Sequence, residues 1–190
     1  MYLIFDTETT GLPRNWRAPL SDLDNWPRMV QLAWHLYGKA GTKIGEGDLI
    51  IKPEDFEIPA DVARIHGITT ARALNEGVSL ENALTTFEEI LSKVEYLVAH
   101  NISFDEKILG AEFLRKGMQN GLEGKKRICT MESSTNFCAI AGPRGNKWPN
   151  LTELHKKLFN EGFVDAHNAA ADVAVTAKCF WELKRLGVIA

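Results

Sequence analysis

Two acidic residues near the start of the chain, Asp6 and Glu8, follow an apolar run at residues 2–5 that is typical of a buried strand. Side chains two positions apart on a strand point to the same face, so these carboxylates should lie side by side. Like charges held together in a partly buried place repel each other, and a divalent cation such as Mg²⁺ or Mn²⁺ relieves that repulsion. The same pattern also suits a solvated strand end followed by an ordinary turn. The pair alone leaves both interpretations open.

Further carboxylates occur where they could reach the same pocket. Asp105 falls in the first turn of a helix that follows a predicted strand, and Asp172 falls early in the last helix, just after His167. An acidic residue in a first turn is favourable to the helix dipole, so each has a structural explanation. Ligand sites in α/β sheets nevertheless gather where strand ends meet helix starts. Four carboxylates with a histidine and no cysteine favour a two-magnesium site over tetrahedral zinc.

The hydrophobic pattern predicts the elements that would position these residues. Alternation at residues 29–37 predicts a half-buried strand with Gln31 and His35 on its polar face, followed by a turn at 38–45 and a third strand at 48–52. Residues 12–28 are predicted to be irregular because they contain three prolines. The other predicted elements are a short helix at 59–65, a helix over 80–94 capped by Ser79, a strand at 96–99, a helix marked by residues 104–114, a short strand at 128–130, a helix over 151–158 capped by Asn150 and Glu153, and a last helix from 170 that ends at Gly187.

This order of elements predicts the α/β class: one mixed sheet with helices packed on its faces, forming a single domain over residues 1–190. No apolar run approaches the roughly 20 residues of a membrane helix, and the N-terminus lacks the basic region of a signal peptide. The three cysteines, Cys129, Cys138 and Cys179, are odd in number and lack metal-ligand spacing. They therefore predict reduced thiols in a cytoplasmic protein without a membrane partner.

The formal net charge of −3 argues mildly against a nucleic-acid-binding protein, because such proteins are usually basic. Two divalent ions in the acidic pocket would add four charges and bring the working form to about +1. Basic residues also cluster at 125–127, 156–157 and 184–185, where a solvated face is favoured over a phosphate track.

Three acidic motifs occur in order along the chain: FDTETTG at residues 5–11, AHNISFD at 99–105 and HNAAAD at 167–172. With weaker pieces at 58–69 and 148–154, they resemble the DnaQ-like exonucleases, the histidine-containing branch of the DEDD superfamily. That family includes the proofreading epsilon subunit of bacterial replicative polymerases. The resemblance spans essentially the whole chain and implies a ribonuclease H-like fold, a five-stranded mixed sheet flanked by helices.

The resemblance also implies a set of site residues. Asp6, Glu8, Asp105 and Asp172 would hold two divalent ions, Mg²⁺ or Mn²⁺, with Asp6 bridging them, while His167 acts as the general base. The product would be a nucleoside 5′-monophosphate released from a 3′ end. The positions that correspond to substrate contacts are Thr9, Gly11, Leu12, Ile65, His66, Asn101 and Phe104.

Structural alternatives remain open for three of these contacts. Phe104 has helical spacing with Ile108 that suits core packing equally well, His66 could be an ordinary histidine at a helix end, and Asn101 could simply cap its turn. The loop over residues 12–28 is longer than its counterpart in the epsilon subunit. Its Trp16 and Arg17 could form a stacking and phosphate platform for single strands, or the loop could pack its tryptophans on its own domain.

The predicted function is a metal-dependent 3′→5′ exonuclease, with DNA favoured over RNA. A 3′ exoribonuclease of the same family remains an alternative, because nothing in the motifs reads a 2′-hydroxyl. A second alternative is a polymerase-bound module that binds nucleic acid without catalysis, although the complete carboxylate set argues against it. No obligatory polymerase partner is expected, since three residues follow Gly187 and no linker is present to dock one.

Overall fold

A five-stranded mixed sheet forms the centre of the protein, in a computed structural model that describes residues 1–163 and 168–190. The strand order is β3-β2-β1-β4-β5. Strand β1 is antiparallel to β2 and parallel to β4, so the carboxyl ends of β1 and β4 meet at one edge of the sheet. The predicted fold class is therefore confirmed. The strands are β1 (Tyr2–Thr9), β2 (Met29–Tyr37), β3 (Lys43–Ile50), β4 (Tyr96–Ala99) and β5 (Lys126–Cys129).

Helices cover both faces of this sheet. They are α1 (Ala60–His66), α2 (Thr70–Glu76), α3 (Leu80–Leu91), α4 (Ile102–Arg115), α5 (Thr130–Ser133), α6 (Thr135–Cys138), α7 (Leu151–Phe159) and α8 (Ala169–Arg185). Two short strands, β6 (Ala141–Gly142) and β7 (Gly145–Asn146), pair as a hairpin between α6 and α7. The predicted caps at Ser79 and Asn150 are confirmed: Ser79 accepts a hydrogen bond from Asn82 N, and Asn150 forms a complete capping box with Glu153.

The first half of β1, residues 2–5, is apolar, as expected for a strand with both faces buried. Leu3 and Phe5 pack into a core with α3 and α4, and the Phe5 and Phe87 rings lie 5.7 Å apart. Ile4 points the other way, into a second core that includes Phe180 of α8. The alternation continues along the strand, so Asp6 and Glu8 share the α8 face with Ile4, whereas Thr7 shares the α4 face.

The predicted half-buried character of β2 is wrong. Gln31 is only 2% exposed, because the start of α8 covers it. Its amide oxygen accepts a hydrogen bond from Ala169 N (3.2 Å), and its Nε2 donates to Asp48 (2.7 Å). A polar residue on this face therefore links β2 to β3 and α8 instead of facing water.

Strand β3 begins at Lys43 and ends at Ile50, earlier at both ends than predicted, and the preceding turn is correspondingly shorter. Glycines obscure this strand in the sequence. A Cβ on Gly47 would lie 2.1 Å from Cζ2 of Trp34, so the glycine leaves room for the indole. Helices α2, α5 and α6 were not predicted either; they have seven, four and four residues, too few for a clear hydrophobic period.

Within residues 1–163 and 168–190, none of the helices is both long and apolar enough to cross a membrane. The cysteines at 129, 138 and 179 are buried free thiols. Burial raises the pKa of the Cys179 thiol to about 12, which keeps it protonated.

Candidate active site

Strand β1 delivers two acidic side chains to the edge where it meets β4. Ile4 is paired with Val98 of β4, so the end of β1 runs past the corner between β4 and α4. Asp6 and Glu8 lie on that end, on the face covered by α8. Because the two strands are parallel, residues from both of their carboxyl ends come together here.

Helix α8 brings a third carboxylate to the same place. Oxygen atoms of Asp6, Glu8 and Asp172 all lie within 4.8 Å of one another. Asp172 is in the first turn of α8, whose start is capped by Asn168 and tied to the sheet through Gln31. The predicted convergence of these three residues is therefore present in the structure.

Asp105 approaches this edge from the α4 face of the sheet. Its side chain is 2% exposed, and one carboxylate oxygen accepts two hydrogen bonds from Thr7, one from the main-chain N (3.0 Å) and one from Oγ1 (2.8 Å). Thr7 points toward α4 because it lies between the two acidic positions of β1. Strand alternation thus places Asp6 and Glu8 on one face and an anchor for Asp105 on the other.

Burial and mutual repulsion make it costly to ionise all of these carboxyl groups at once. Burial and the charges of Asp105, Glu8 and Asp172 raise the pKa of Asp6 well above its ordinary value. The pKa of Glu8 is raised to about 8, by burial and by the charges of Asp172 and Asp105.

The pKa of Asp105 is also raised, to about 7, because burial outweighs the hydrogen bonds from Thr7 that favour the ionised form. Among the described residues, this site offers carboxylate oxygens whose joint ionisation is unfavourable, so it fits a hard divalent cation that would neutralise the charges.

The predicted general base, His167, lies outside the described residues, as do residues 164–166. The chain on the N-terminal side of this gap is held by His155, which is 3% exposed. Its Nδ1 donates to the Glu161 carbonyl (3.0 Å), and Lys178 of α8 approaches its Nε2 at 3.4 Å. These contacts tie the chain at Glu161 to α7 and α8.

Four of the predicted substrate-contact residues surround the end of β1 and the short helix α1. Thr9 is buried, and its hydroxyl donates to the Gly11 carbonyl (2.7 Å). Gly11 has a φ of 145°, a backbone conformation that side chains disfavour, so the turn after the first motif suits glycine. Leu12 and Ile65 are large apolar side chains that stand in solvent, at 73% and 57% exposure. Their contact with substrate stays a prediction.

His66 is buried between α1 and β1. Its Nδ1 accepts a hydrogen bond from Ile68 N (3.1 Å), so Nε2 carries the proton of the neutral ring. Burial lowers the pKa of His66, and the neighbouring Thr9 carbonyl opposes the shift without forming a well-aligned hydrogen bond to Nε2. A neutral, buried ring at this position packs the end of β1, while its contact with substrate stays a prediction.

Asn101 and Phe104 lie at the start of α4. Asn101 is the N-cap residue of α4, is left-handed (φ 74°), and accepts a hydrogen bond at its carbonyl from Phe104 N (2.9 Å). Among the described residues its side chain makes no capping hydrogen bond to the helix, so its role in the turn depends on its main chain, and its contact with substrate stays a prediction. Phe104 packs partly on the main core and partly on Trp16, with the two rings 5.7 Å apart. Both interpretations of Phe104 are thus compatible with its position.

His100, the residue just before Asn101, has a supporting role that the motif did not reveal. Its Nε2 lies 3.1 Å from the Pro149 carbonyl, which can only accept, so Nε2 is protonated and Nδ1 accepts from the Thr130 hydroxyl (3.0 Å). Burial lowers the pKa of His100 to about 4, so the ring is neutral at physiological pH. Thr7, Gln31 and His100 were missed as supporting residues because their partners are distant in sequence.

The loop over residues 12–28 packs along α4. Lys107 Nζ donates to the Trp16 carbonyl (2.7 Å), and Arg115 donates to the Trp26 carbonyl (2.7 Å). Trp26 is buried at 2% exposure, as expected for a loop that packs on its own domain, whereas Trp16 remains 45% exposed. Packing of the loop on its own domain is thus seen at Trp26, while a stacking and phosphate platform at Trp16 and Arg17 stays a prediction.

Solved structures with the same fold are enzymes named exonuclease I. E. coli exonuclease I in complex with a dA16 oligonucleotide has a TM-score of 0.74 and 18% identity over 97% of this chain. Its complex with a dT13 oligonucleotide has a TM-score of 0.75 and 21% identity over 98% of this chain. Exonuclease I from Methylocaldum szegediense has a TM-score of 0.72 and 22% identity over 97% of this chain. The chain spans 40%, 42% and 40% of those three chains, respectively.

The sheet and its acidic edge define a nuclease of the ribonuclease H-like fold. Residues 3–180 match the family model described as exonuclease, so the chain belongs to that family. The resemblance to DnaQ-like 3′→5′ exonucleases is confirmed, and with it the assignment as a hydrolase. Members of the family depend on divalent metals, in agreement with the acidic cluster. No curated protein matched the sequence.

Proposed function

We propose that this chain removes nucleoside 5′-monophosphates from the 3′ end of single-stranded DNA, using two divalent ions, Mg²⁺ or Mn²⁺. The observation that carries the proposal is the convergence of Asp6, Glu8 and Asp172 within 4.8 Å. Burial raises the pKa values of Asp6 and Glu8, and within the described residues the cluster offers only carboxylate oxygens, which suit hard cations. Residues 1–190 would act as one exonuclease domain.

Each acidic residue has a distinct proposed role. Asp6 would be shared by both ions, Glu8 and Asp172 would complete one binding site, and Asp105 would serve the other. When bound, a metal pair would stabilise charge on the attacking and leaving oxygens at phosphorus and make the attacking water more acidic. Thr7 holds the Asp105 carboxylate in place with two hydrogen bonds, which limits its rotation before any ligand arrives.

His167 would accept the proton of the attacking water, because an imidazole with an ordinary pKa of about 6.5 can accept a proton at neutral pH. The terminal nucleotide would contact Thr9, Gly11, Leu12, Ile65, His66, Asn101 and Phe104. The exposed Leu12 and Ile65 offer apolar surface to a base or sugar, since burying such side chains against a ligand is favourable.

The preference for DNA is supported by the structural neighbours. E. coli exonuclease I was solved with dA16 and dT13 oligonucleotides. A role in DNA replication or repair would follow from this substrate. We also propose that the chain needs no polymerase subunit, because its own strands and helices supply the acidic cluster. A cytoplasmic location is proposed from the free thiols.

One assay tests these proposals together. The purified chain would be incubated with 5′-labelled single- and double-stranded DNA and RNA, with Mg²⁺, with Mn²⁺ or with EDTA. We expect single-stranded DNA to shorten from its 3′ end with either metal and to remain intact with EDTA. Asp6→Asn keeps the side-chain size but removes the charge, so it serves as the matched inactive control.

The outcomes separate the alternatives. Faster loss of RNA would make the chain an exoribonuclease, and strand binding without cleavage would make it a non-catalytic module. Cleavage that proceeds at full rate in EDTA would refute the metal dependence. Activity that appears only after a polymerase subunit is added would refute the proposed independence.

A further inference from the structure

A cavity of about 540 Å³ lies beside the start of α4, bordered by two tryptophans from distant parts of the chain. Trp16 belongs to the loop over residues 12–28, and Trp148 precedes α7. The side chains are 45% and 61% exposed, which is unusual for the largest aromatic residue. A cavity of this volume is within the range of small-molecule pockets.

Both tryptophan walls are held in place by hydrogen bonds of the main chain next to them. Lys107 Nζ donates to the Trp16 carbonyl (2.7 Å), and the Trp16 ring rests on Phe104. His100 Nε2 donates to the carbonyl of Pro149, the neighbour of Trp148 (3.1 Å). The main chain that carries both tryptophans is therefore fixed to the domain, which lowers the entropic cost of ordering it on binding.

The groove and the acidic site share the start of helix α4. Asn101 and Ser103 line it, and Asp105 lies in the same first turn of α4. A strand whose 3′ end reached the carboxylates would pass this corner. The polar side chains of Asn101 and Ser103 can donate and accept hydrogen bonds at the edge of a base.

The charged residues that line the groove, Lys107 and Glu132, have opposite signs and give it no net attraction for a phosphate. Its one lysine, Lys107, is already engaged by the Trp16 carbonyl and lies 5.2 Å from the centre of the Trp26 ring. Glu132 also lines the groove and would repel a phosphate. Exposed indole faces, by contrast, stack on any unpaired base with little regard to its sequence.

We propose that this groove binds an unpaired nucleobase upstream of the 3′-terminal nucleotide. We call it the tryptophan groove and define it by Trp16, Asn101, Ser103, Lys107, Glu132 and Trp148. The inference rests on the proposed exonuclease function and deepens it. A base stacked here would hold the strand as the terminal nucleotide is removed. Because a paired base cannot leave its duplex without cost, the groove would also favour single-stranded ends.

The test combines a protein change with a substrate change. The chain of residues 1–190 carrying Asp6→Asn, which we expect to be inactive, would be titrated into a 5′-fluorescein thymidine 12-mer, and the Kd would be read by anisotropy. The same titration would use oligonucleotides in which one of the second to sixth residues from the 3′ end lacks its base. We expect one of these positions to weaken binding by roughly 5- to 150-fold, the range of a base–aromatic stack.

Adding Trp148→Leu should raise the Kd for the intact 12-mer by a similar factor, and the abasic position should then cost nothing further. Trp148→Phe, which keeps an aromatic face, should lose less than Trp148→Leu. Leu114→Ala is the matched control, because Leu114 is an exposed apolar residue at the far end of the same helix. The Kd of the Leu114→Ala variant should equal that of the Asp6→Asn chain without it, and thermal melting would show that all variants fold.

The outcomes are distinguishable. Suppose that the wild-type chain cleaves strands and the Asp6→Asn chain binds them, but the effects of Trp148→Leu and of the abasic position on the Kd are independent. The tryptophan groove then does not bind a base, and the exonuclease proposal stands. An unchanged Kd in Trp148→Leu would also show that the groove does not bind a base, and a protein partner would then be the alternative occupant. If the wild-type chain neither cleaves nor binds any strand, both proposals fail.

Discussion

Raising the pH through the range in which Glu8 and Asp105 titrate should destabilise the metal-free protein, because these two carboxyl groups keep their protons in the folded state and are ionised in the unfolded state. The pKa of Glu8 rises from an ordinary 4.5 to about 8 on folding. Between these values the folded state binds more protons than the unfolded state, so stability is lost as the pH rises toward the folded pKa. This is opposite in sign to a carboxylate in an ion pair.

The size of the effect follows from the linkage relation. Each pH unit in this interval costs about 1.4 kcal/mol per proton, so Glu8 contributes about 2 kcal/mol between about pH 6.5 and 8. For a chain of this length, that is a fall in Tm of roughly 4–8 °C. Asp105, whose pKa is about 7, should add a smaller part.

The interval begins at about pH 6.5 so that it lies above the pH range in which three histidines with lowered pKa values affect stability. Burial lowers the pKa values of His35, His66 and His100, so their contribution to stability increases as the pH rises to their ordinary value of 6.5 and is constant above it. A measurement that began at lower pH would mix the two opposite trends.

The assay is thermal melting in EDTA across this interval, repeated with Mg²⁺ and with Glu8→Gln. We expect the metal-free wild type to melt at lower temperature as the pH rises, and Mg²⁺ to reverse the trend because it binds only the folded, ionised site. Glu8→Gln should show a shallower fall, since its amide does not titrate. A Tm that is flat or rising in EDTA, or an equal slope in Glu8→Gln, would refute the reasoning.

Three further changes test other parts of the structure. His167→Ala should lower kcat by about 10²–10⁴-fold while metal binding, measured by calorimetry, persists; a wild-type rate with an unchanged pH profile would make the residue structural. Thr7→Val removes one of the two hydrogen bonds to Asp105 and should cost about 1–3 kcal/mol in denaturant unfolding, whereas Thr7→Ser should cost less; equal losses would argue against the hydroxyl. Gly47→Ala should lower the free energy of unfolding by about 1–3 kcal/mol, because its Cβ would overlap Trp34. Gly45→Ala is the control, since a Cβ there would meet its nearest neighbour at an ordinary 3.7 Å. Similar melting of the two variants would contradict that packing.

Local signals in the sequence determined much of the fold and the core of the site. The caps at Ser79 and Asn150 fixed the starts of their helices, because a cap acts through the main chain within three residues. Alternation placed Asp6 and Glu8 on one face of β1 before any tertiary contact was known. The acidic motifs included the three carboxylates, Asp6, Glu8 and Asp172, whose oxygen atoms the structure brings within 4.8 Å of one another.

Tertiary structure decided which side chains support that site. The bond from Thr7 to Asp105 joins residues 98 positions apart, and the bond from Ala169 to Gln31 spans 138 positions. Gln31 looked solvent-facing because its neighbours alternate, but α8 covers that face of β2. Likewise Trp16 and Trp26 are equivalent in the sequence, and only the packing of their loop on α4 buries one and exposes the other. Short-range patterns report the conformation of the chain, whereas burial and hydrogen-bond partners depend on elements that the chain brings together only when it folds.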